Sequence, residues 1–95
     1  MNRLKAKDVA PFRAERLAHQ GGLCALCKEP ITSTDRVVLD HNHVSGAVRG
    51  ALHNGCNVTL GKLENAARRY GVNLSQFLLG AYSYQRSSLG VLHPT

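Results

Sequence analysis

Three short segments of this chain carry side chains able to do chemistry: Cys24-Ala-Leu-Cys27, Asp40-His41-Asn42-His43 and His53-Asn-Gly-Cys56-Asn57. Thiolates and imidazoles at this spacing bind a soft or borderline cation such as zinc. A carboxylate beside imidazoles can instead hold a hard cation and move a proton. Both sets fall between residues 24 and 57, with the hard set nested between the two halves of the soft set.

Two thiolates separated by two residues can bite one ion when a tight turn puts both sulfurs on the same side. Cys24 and Cys27 have that spacing, and His53 and Cys56 repeat it. Four such ligands with no open position describe a structural Cys3His zinc site, not a catalytic one. Three cysteines are also an odd number, which intramolecular disulfides cannot exhaust. His93 is a weaker candidate for the fourth ligand, because it lies in an irregular tail. The ion would tie the 24–27 knuckle to the helix that begins near His53 and clamp the segment between them. A Cys-x-x-Cys alone would suit a redox pair, and buried free thiols are the plainer explanation. Neither accounts for the second half-site.

Asp40 follows a short apolar run, and in an extended chain successive side chains alternate. Asp40 is expected on one side and His41 on the other, with His43 sharing the side of His41 unless the strand bends. A kinked strand end would gather all three around one phosphate. Asp40 is a hard oxygen ligand suited to Mg2+, and Asn57 can supply a second oxygen from the helix. An imidazole titrates near neutrality, so His41 can take the proton from an attacking water. The cation would neutralise the phosphate and stabilise the leaving 3′ oxygen. Taken singly, Asp40 reads as a turn cap and the two histidines as polar loop residues. Their common enclosure by the zinc-type ligands is what argues for chemistry.

Ninety-five residues imply one domain, 1–95. With 43% hydrophobic residues, two Phe, three Tyr and no Trp, the core is thin, so a metal or a dimer interface would help hold it. Twelve Lys and Arg against six Asp and Glu leave a charge of +6, which favours a polyanionic partner, nucleic acid above all. The basic residues are dispersed, so any binding surface must be assembled by folding. No apolar run approaches a membrane span, and the charged N-terminus does not read as a signal peptide. A cytoplasmic protein with reduced thiols is expected.

The elements that must position these residues follow from local signals. Residues 8–20 read as a helix, with Asp8 as its cap, Pro11 in its first turn and Gly21-Gly22 as its stop. Residues 28–36 read as a loop. Arg36-Val-Val-Leu39 and Val48-Arg-Gly-Ala-Leu52 read as two strands of a hairpin over 36–52, turning at Gly46. Leu60, Leu63, Ala67 and Tyr70 mark a helix over about 54–70 that Gly71 ends. Asn73 can cap a last helix over about 74–86, striped by Leu74, Phe77, Leu78, Ala81 and Tyr82.

The run Leu39-Asp-His-Asn-His43, then Ser45-Gly-Ala-Val-Arg-Gly-Ala-Leu52 and His53-Asn-Gly-Cys56-Asn57, resembles the phage recombination endonuclease VII family, within the wider HNH, or ββα-metal, nucleases. The likeness includes the Cys24-x-x-Cys27 knuckle and continues weakly through Gly71-Val-Asn-Leu-Ser-Gln-Phe77, covering roughly residues 8–86. It implies a small α+β fold: a zinc-stapled ββα-metal core with flanking helices. By position, Asp40 and Asn57 would hold Mg2+ (or Mn2+ or Ni2+), His41 would be the general base, and His43 would contact or orient the scissile phosphate. Arg49 becomes a candidate phosphate contact, with Arg36 and Lys62 as further DNA-binding candidates. The resemblance also implies a phage-encoded protein in host cytoplasm. The family's junction resolvase is an intertwined homodimer, and the apolar stripes on 59–70 and 74–86 would support a dimer through the C-terminal helices. The family's zinc site usually has four cysteines, whereas position 53 is His here.

The function so implied is a metal-dependent DNA endonuclease or nickase, acting on branched DNA in the manner of a Holliday-junction resolvase. The alternative is a non-catalytic zinc-stabilised DNA-binding module. Such a module would need the staple and the basic face but not Asp40, His41 and Asn57.

Overall fold

A computed structural model describes residues 3–95 of the chain. The element order is α1 (Ala6–His19), β1 (Val37–His41), β2 (Val48–His53), α2 (Asn54–Tyr70) and α3 (Leu74–Tyr84). This is a small α+β arrangement of three helices and a two-stranded antiparallel sheet. The chain divides into two compact units, the first running to Leu60 and the second from Gly61 to Thr95.

In the first unit, α1 starts two residues earlier than its sequence signals suggest. Lys5 is the N-cap and no side chain caps the helix. Asp8 therefore does not cap it but lies inside the first turn, where a carboxylate favours the positive end of the helix dipole. Pro11 falls in the second turn, not the first, and forgoes a bond to the carbonyl of Lys7. Gly21 and Gly22 end the helix with φ of +67° and +77°, a conformation glycine adopts without steric cost.

Val37, Val38 and Leu39 make β1, and it extends past the apolar run to include Asp40 and His41. Leu39 faces Ala51 and Asp40 faces Gly50, but His41 faces Val48. Arg49 is the residue left over, so a β-bulge breaks the register at the strand end. The hairpin turns through Asn42 to Gly46. The Asn42 side-chain oxygen accepts from the N–H groups of Val44 and Ser45 at 2.8 and 2.9 Å, and Gly46 sits at φ +79°.

The buried apolar residues among those described are Cys24, Ala51 and Leu52. They lie where α1, the knuckle and β2 meet. The outer edge of β2 is closed there by a side chain. Gln20 Nε2 donates to the carbonyls of Ala51 and Leu23 at 2.9 and 2.8 Å, and Ala51 N–H donates back to Gln20 Oε1 at 2.9 Å. The Ala25 N–H adds a bond to the same Ala51 carbonyl at 3.1 Å. Gly50 allows this approach. A Cβ there would lie 3.1 Å from both Ala25 Cβ and Gln20 Oε1.

Helix α2 follows β2 with no linker. Gly71 ends it at φ +68°, and the Val72 N–H closes back on the carbonyl of Ala67 at 2.8 Å. In the second unit, Asn73 caps α3 by accepting from the Gln76 N–H at 3.1 Å. The helix stops at Tyr84, two residues short of the sequence expectation. No residue from 61 to 95 is buried, and Leu79, Tyr82 and Tyr84 are 80%, 65% and 81% exposed. Among the described residues, no helix is long and apolar enough to cross a membrane.

Replacing Gln20 with Ala leaves the Ala51 N–H and C=O with fewer partners at a part-buried edge. The expected outcome is a loss of about 1–3 kcal/mol in urea unfolding of the metal-loaded chain, with unchanged metal content.

Candidate functional site

The knuckle is held by backbone bonds before any side chain is considered. Cys24 N–H donates to the Glu29 carbonyl at 2.9 Å, Lys28 N–H to the Cys24 carbonyl at 3.0 Å, and Ile31 N–H to the Gly22 carbonyl at 2.9 Å. Lys28 takes a φ of +68° to complete the turn. Its Nζ bonds the Ala25 carbonyl at 2.7 Å. Cys24 and Cys27 are thereby turned to one side.

The second half-site is built at the junction of β2 and α2. His53 is the last residue of the strand, and Cys56 lies in the first turn of the helix. The Asn54 N–H anchors this junction to the Arg36 carbonyl at 2.9 Å. The four ligand atoms of Cys24, Cys27, His53 and Cys56 all lie within 4.8 Å of one another. His53 Nδ1 is 3.4 Å from Cys27 Sγ and 3.8 Å from Cys56 Sγ. For zinc bonds of about 2.3 Å to sulfur and 2.0–2.1 Å to nitrogen, a tetrahedron has an S···N edge of about 3.6 Å. The two distances bracket that edge. The group fits zinc, which would be held by three thiolates and one imidazole and would lock the knuckle to the strand–helix junction. His93 takes no part in this group; its Nδ1 accepts from the Thr95 N–H and contacts the Thr95 hydroxyl.

His53 is oriented from behind. Its Nε2 lies 3.0 Å from the Pro30 carbonyl, which can only accept, so Nε2 carries a proton. The neutral ring then turns the Nδ1 lone pair to the sulfurs. Asp35 Oδ2 stands 3.7 Å from the same Nε2, and the Thr32 N–H fixes that carboxylate at 2.8 Å. Without an ion, the sulfurs share charge unequally. Burial pushes the Cys24 thiol up, but the N–H groups of Cys27, His53 and Leu26 outweigh it and bring it down to about 6. Burial and the two neighbouring sulfurs push Cys56 up to about 11. The Cys24 sulfur beside His53 raises its imidazole, against burial. A divalent cation removes this conflict by favouring every thiolate at once.

The adjoining hairpin end carries the remaining sequence candidates. Asp40 is 5% exposed, and its Oδ2 accepts from Arg49 Nε at 2.7 Å. His41 is exposed where Asp40 is buried, the difference that alternation along the strand expects. The His43 ring lies 4.8 Å from the His41 ring, tilted by 40°, so these two share a side. Neither imidazole is hydrogen-bonded among the described residues, and both can engage a ligand. Asn57 follows Cys56 in the first turn of α2, half-buried, and its amide makes no hydrogen bond among the described residues. Arg36 and Lys62 are exposed.

Four contributors were not read from the sequence. Pro30 and Asp35, which orient His53, belong to a stretch that reads only as loop. Gln20 lacks any local signal, since its role depends on where β2 lies. The Arg49–Asp40 pair depends on the bulge, which periodicity does not reveal.

A family model described as recombination endonuclease VII matches residues 3–84. No curated protein matches the chain.

The metal centre makes a direct prediction. The chain should bind one zinc, with release of protons in weakly buffered solution at pH 7, because Cys56 enters as a thiol and is bound as a thiolate. His53→Ala and Cys56→Ser should each lose bound zinc. Chelation should unfold the chain, since zinc binding contributes on the order of 10 kcal/mol in small zinc peptides. Metal analysis and circular dichroism on the same samples check both.

Proposed function

Because the chain belongs to the recombination endonuclease VII family, we propose that it is a metal-dependent DNA endonuclease that hydrolyses phosphodiester bonds in branched DNA. The observation that carries this reading is the juxtaposition just described. Strand β1, which ends in Asp40 and His41, pairs with β2, which closes on the candidate ligand His53, and Asn57 follows the candidate ligand Cys56 in the first turn of α2. A binding module would need the fastening but not the three side chains.

In this reading β1, β2 and α2 form an HNH-type ββα core within a single nuclease domain. Asp40 and Asn57 hold the catalytic cation, Mg2+ by default. A carboxylate and an amide with oxygens to offer are the donors such a hard ion takes, and the Asn57 amide has no competing bond among the described residues. Bound there, the ion would neutralise charge on the scissile phosphate and on the leaving oxygen. His41 takes the proton from the attacking water. It is exposed and free of hydrogen bonds among the described residues, as a base that must meet solvent requires. His43, stacked at an angle beside it, orients the phosphate and limits the freedom of the His41 ring. Arg36, Arg49 and Lys62 bring positive charge to the DNA backbone.

The helices of the second unit support a homodimer in the same reading. An 11-residue helix carrying Phe77, Leu78, Leu79, Tyr82 and Tyr84 buries none of its residues. Exposed apolar surface of this kind calls for a partner face. A second copy of the chain would also bring a second active site for the opposite strand of a branched substrate.

The test is cleavage of supercoiled plasmid and of a synthetic four-way junction, with and without Mg2+. Wild-type protein should cut only with the cation. His41→Ala should retain its zinc and its circular dichroism spectrum and lose at least about a hundredfold in rate, the lower range for removal of a general base. Equal cutting by both proteins would remove His41 from the chemistry.

A further inference from the structure

Arg49 reaches Asp40 because of the bulge. It is the extra residue between the Asp40–Gly50 and His41–Val48 pairs. Freed from the regular alternation, it places Nε 2.7 Å from Asp40 Oδ2. The partners differ in burial: the carboxylate side chain is 5% exposed and the arginine 32%. An inner anion is thus neutralised by an outer cation that reaches solvent. A carboxylate lone pair directed at a guanidinium N–H is not available to a second cation, and two cations on one oxygen repel.

Resting on the reading of Asp40 as a ligand of the catalytic ion, we infer that Arg49 is an exchangeable internal cation. It holds Asp40 Oδ2 while no divalent ion is bound, and it leaves that oxygen when one arrives. The released guanidinium then turns to a phosphate of the DNA strand, whose two non-bridging oxygens its planar fork of N–H groups can bind. The exchange keeps a buried carboxylate neutralised in both states, so neither state leaves an uncompensated charge. It also makes the DNA-free protein a weak binder of divalent ions, and cation loading favours the moment when a phosphate draws Arg49 away.

The experiment measures Mn2+ affinity of the full-length, zinc-loaded chain without DNA, from the electron paramagnetic resonance signal of free Mn2+. Wild type is compared with Arg49→Gln, Arg49→Lys, Asp40→Asn and Arg36→Gln, and zinc content monitors folding. Removing the competitor should tighten Mn2+ binding by about tenfold in Arg49→Gln, the equivalent of one charge-assisted bond. Arg49→Lys keeps the charge but not the Nε geometry, and should tighten it less; it decides the matter if Arg49→Gln loses its zinc. Arg36→Gln removes an equal charge that makes no bond to Asp40, and should change nothing. Asp40→Asn should lose the site. Unchanged or weaker binding in the Arg49 variants, while Asp40→Asn loses it, overturns the exchange and leaves the cation site standing. Equal tightening by Arg36→Gln also overturns it, since bulk charge would then be the cause. Wild-type affinity in Asp40→Asn removes the cation site itself and the exchange with it.

Discussion

The convergence of Cys24, Cys27, His53 and Cys56 is the constraint on which the first unit depends. Its buried apolar residues number only Cys24, Ala51 and Leu52 among those described, and one of these is itself a ligand. A core of that size does not fix a knuckle, a hairpin and a helix start relative to one another. Four side chains from three elements, brought within 4.8 Å, can do so once an ion joins them. The electrostatics point the same way, since, against burial, backbone N–H groups lower the Cys24 thiol, while burial and the neighbouring sulfurs raise that of Cys56. Three sulfurs in one small volume cannot all be anions until a cation sits among them.

The residues of the proposed site are set by the elements that meet at that fastening. His53 closes β2 and Cys56 opens α2 without a linker, so Asn57 is carried next to the last ligand by covalent geometry alone. On the hairpin, the sheet register sets Asp40 inward and His41 outward, and the bulge supplies Arg49 as the counter-charge that lets Asp40 be buried. Gln20 closes the other edge of β2, which keeps a two-stranded sheet from presenting an open ladder. Hairpins of this size are marginal alone. Here the clamp and the glutamine border it.

The ligand set was legible in the sequence because metal chemistry demands specific residue types at specific spacings, and Cys24-x-x-Cys27 with His53-x-x-Cys56 meets both demands. The hairpin and α2 were legible because their apolar periods are intact. Boundaries failed where no local signal exists. Helix α1 begins at Ala6 without a side-chain cap, so Asp8, the best capping residue nearby, misdirects the reading. The buried Asp40 beside an exposed His41 matches strand alternation, whereas His43 lies past the end of β1, in the turn, so its approach to the His41 ring comes from the turn and not from the strand period. The Arg49–Asp40 pair was hidden for the opposite reason. A bulge breaks the period on which strand reasoning rests, and whether an arginine meets a carboxylate nine residues away depends on that one extra residue. Gln20 and Pro30 act through backbone groups distant in sequence, which no composition or spacing encodes.

Zinc K-edge X-ray absorption of the purified chain tests the clamp most directly, because it counts ligands by element. The account requires three sulfurs at about 2.3 Å and one nitrogen at about 2.0–2.1 Å, with the imidazole's outer-atom scattering present. A shell containing water oxygens, or fewer than three sulfurs, would contradict a closed Cys3His clamp and with it the positioning of every residue described around it.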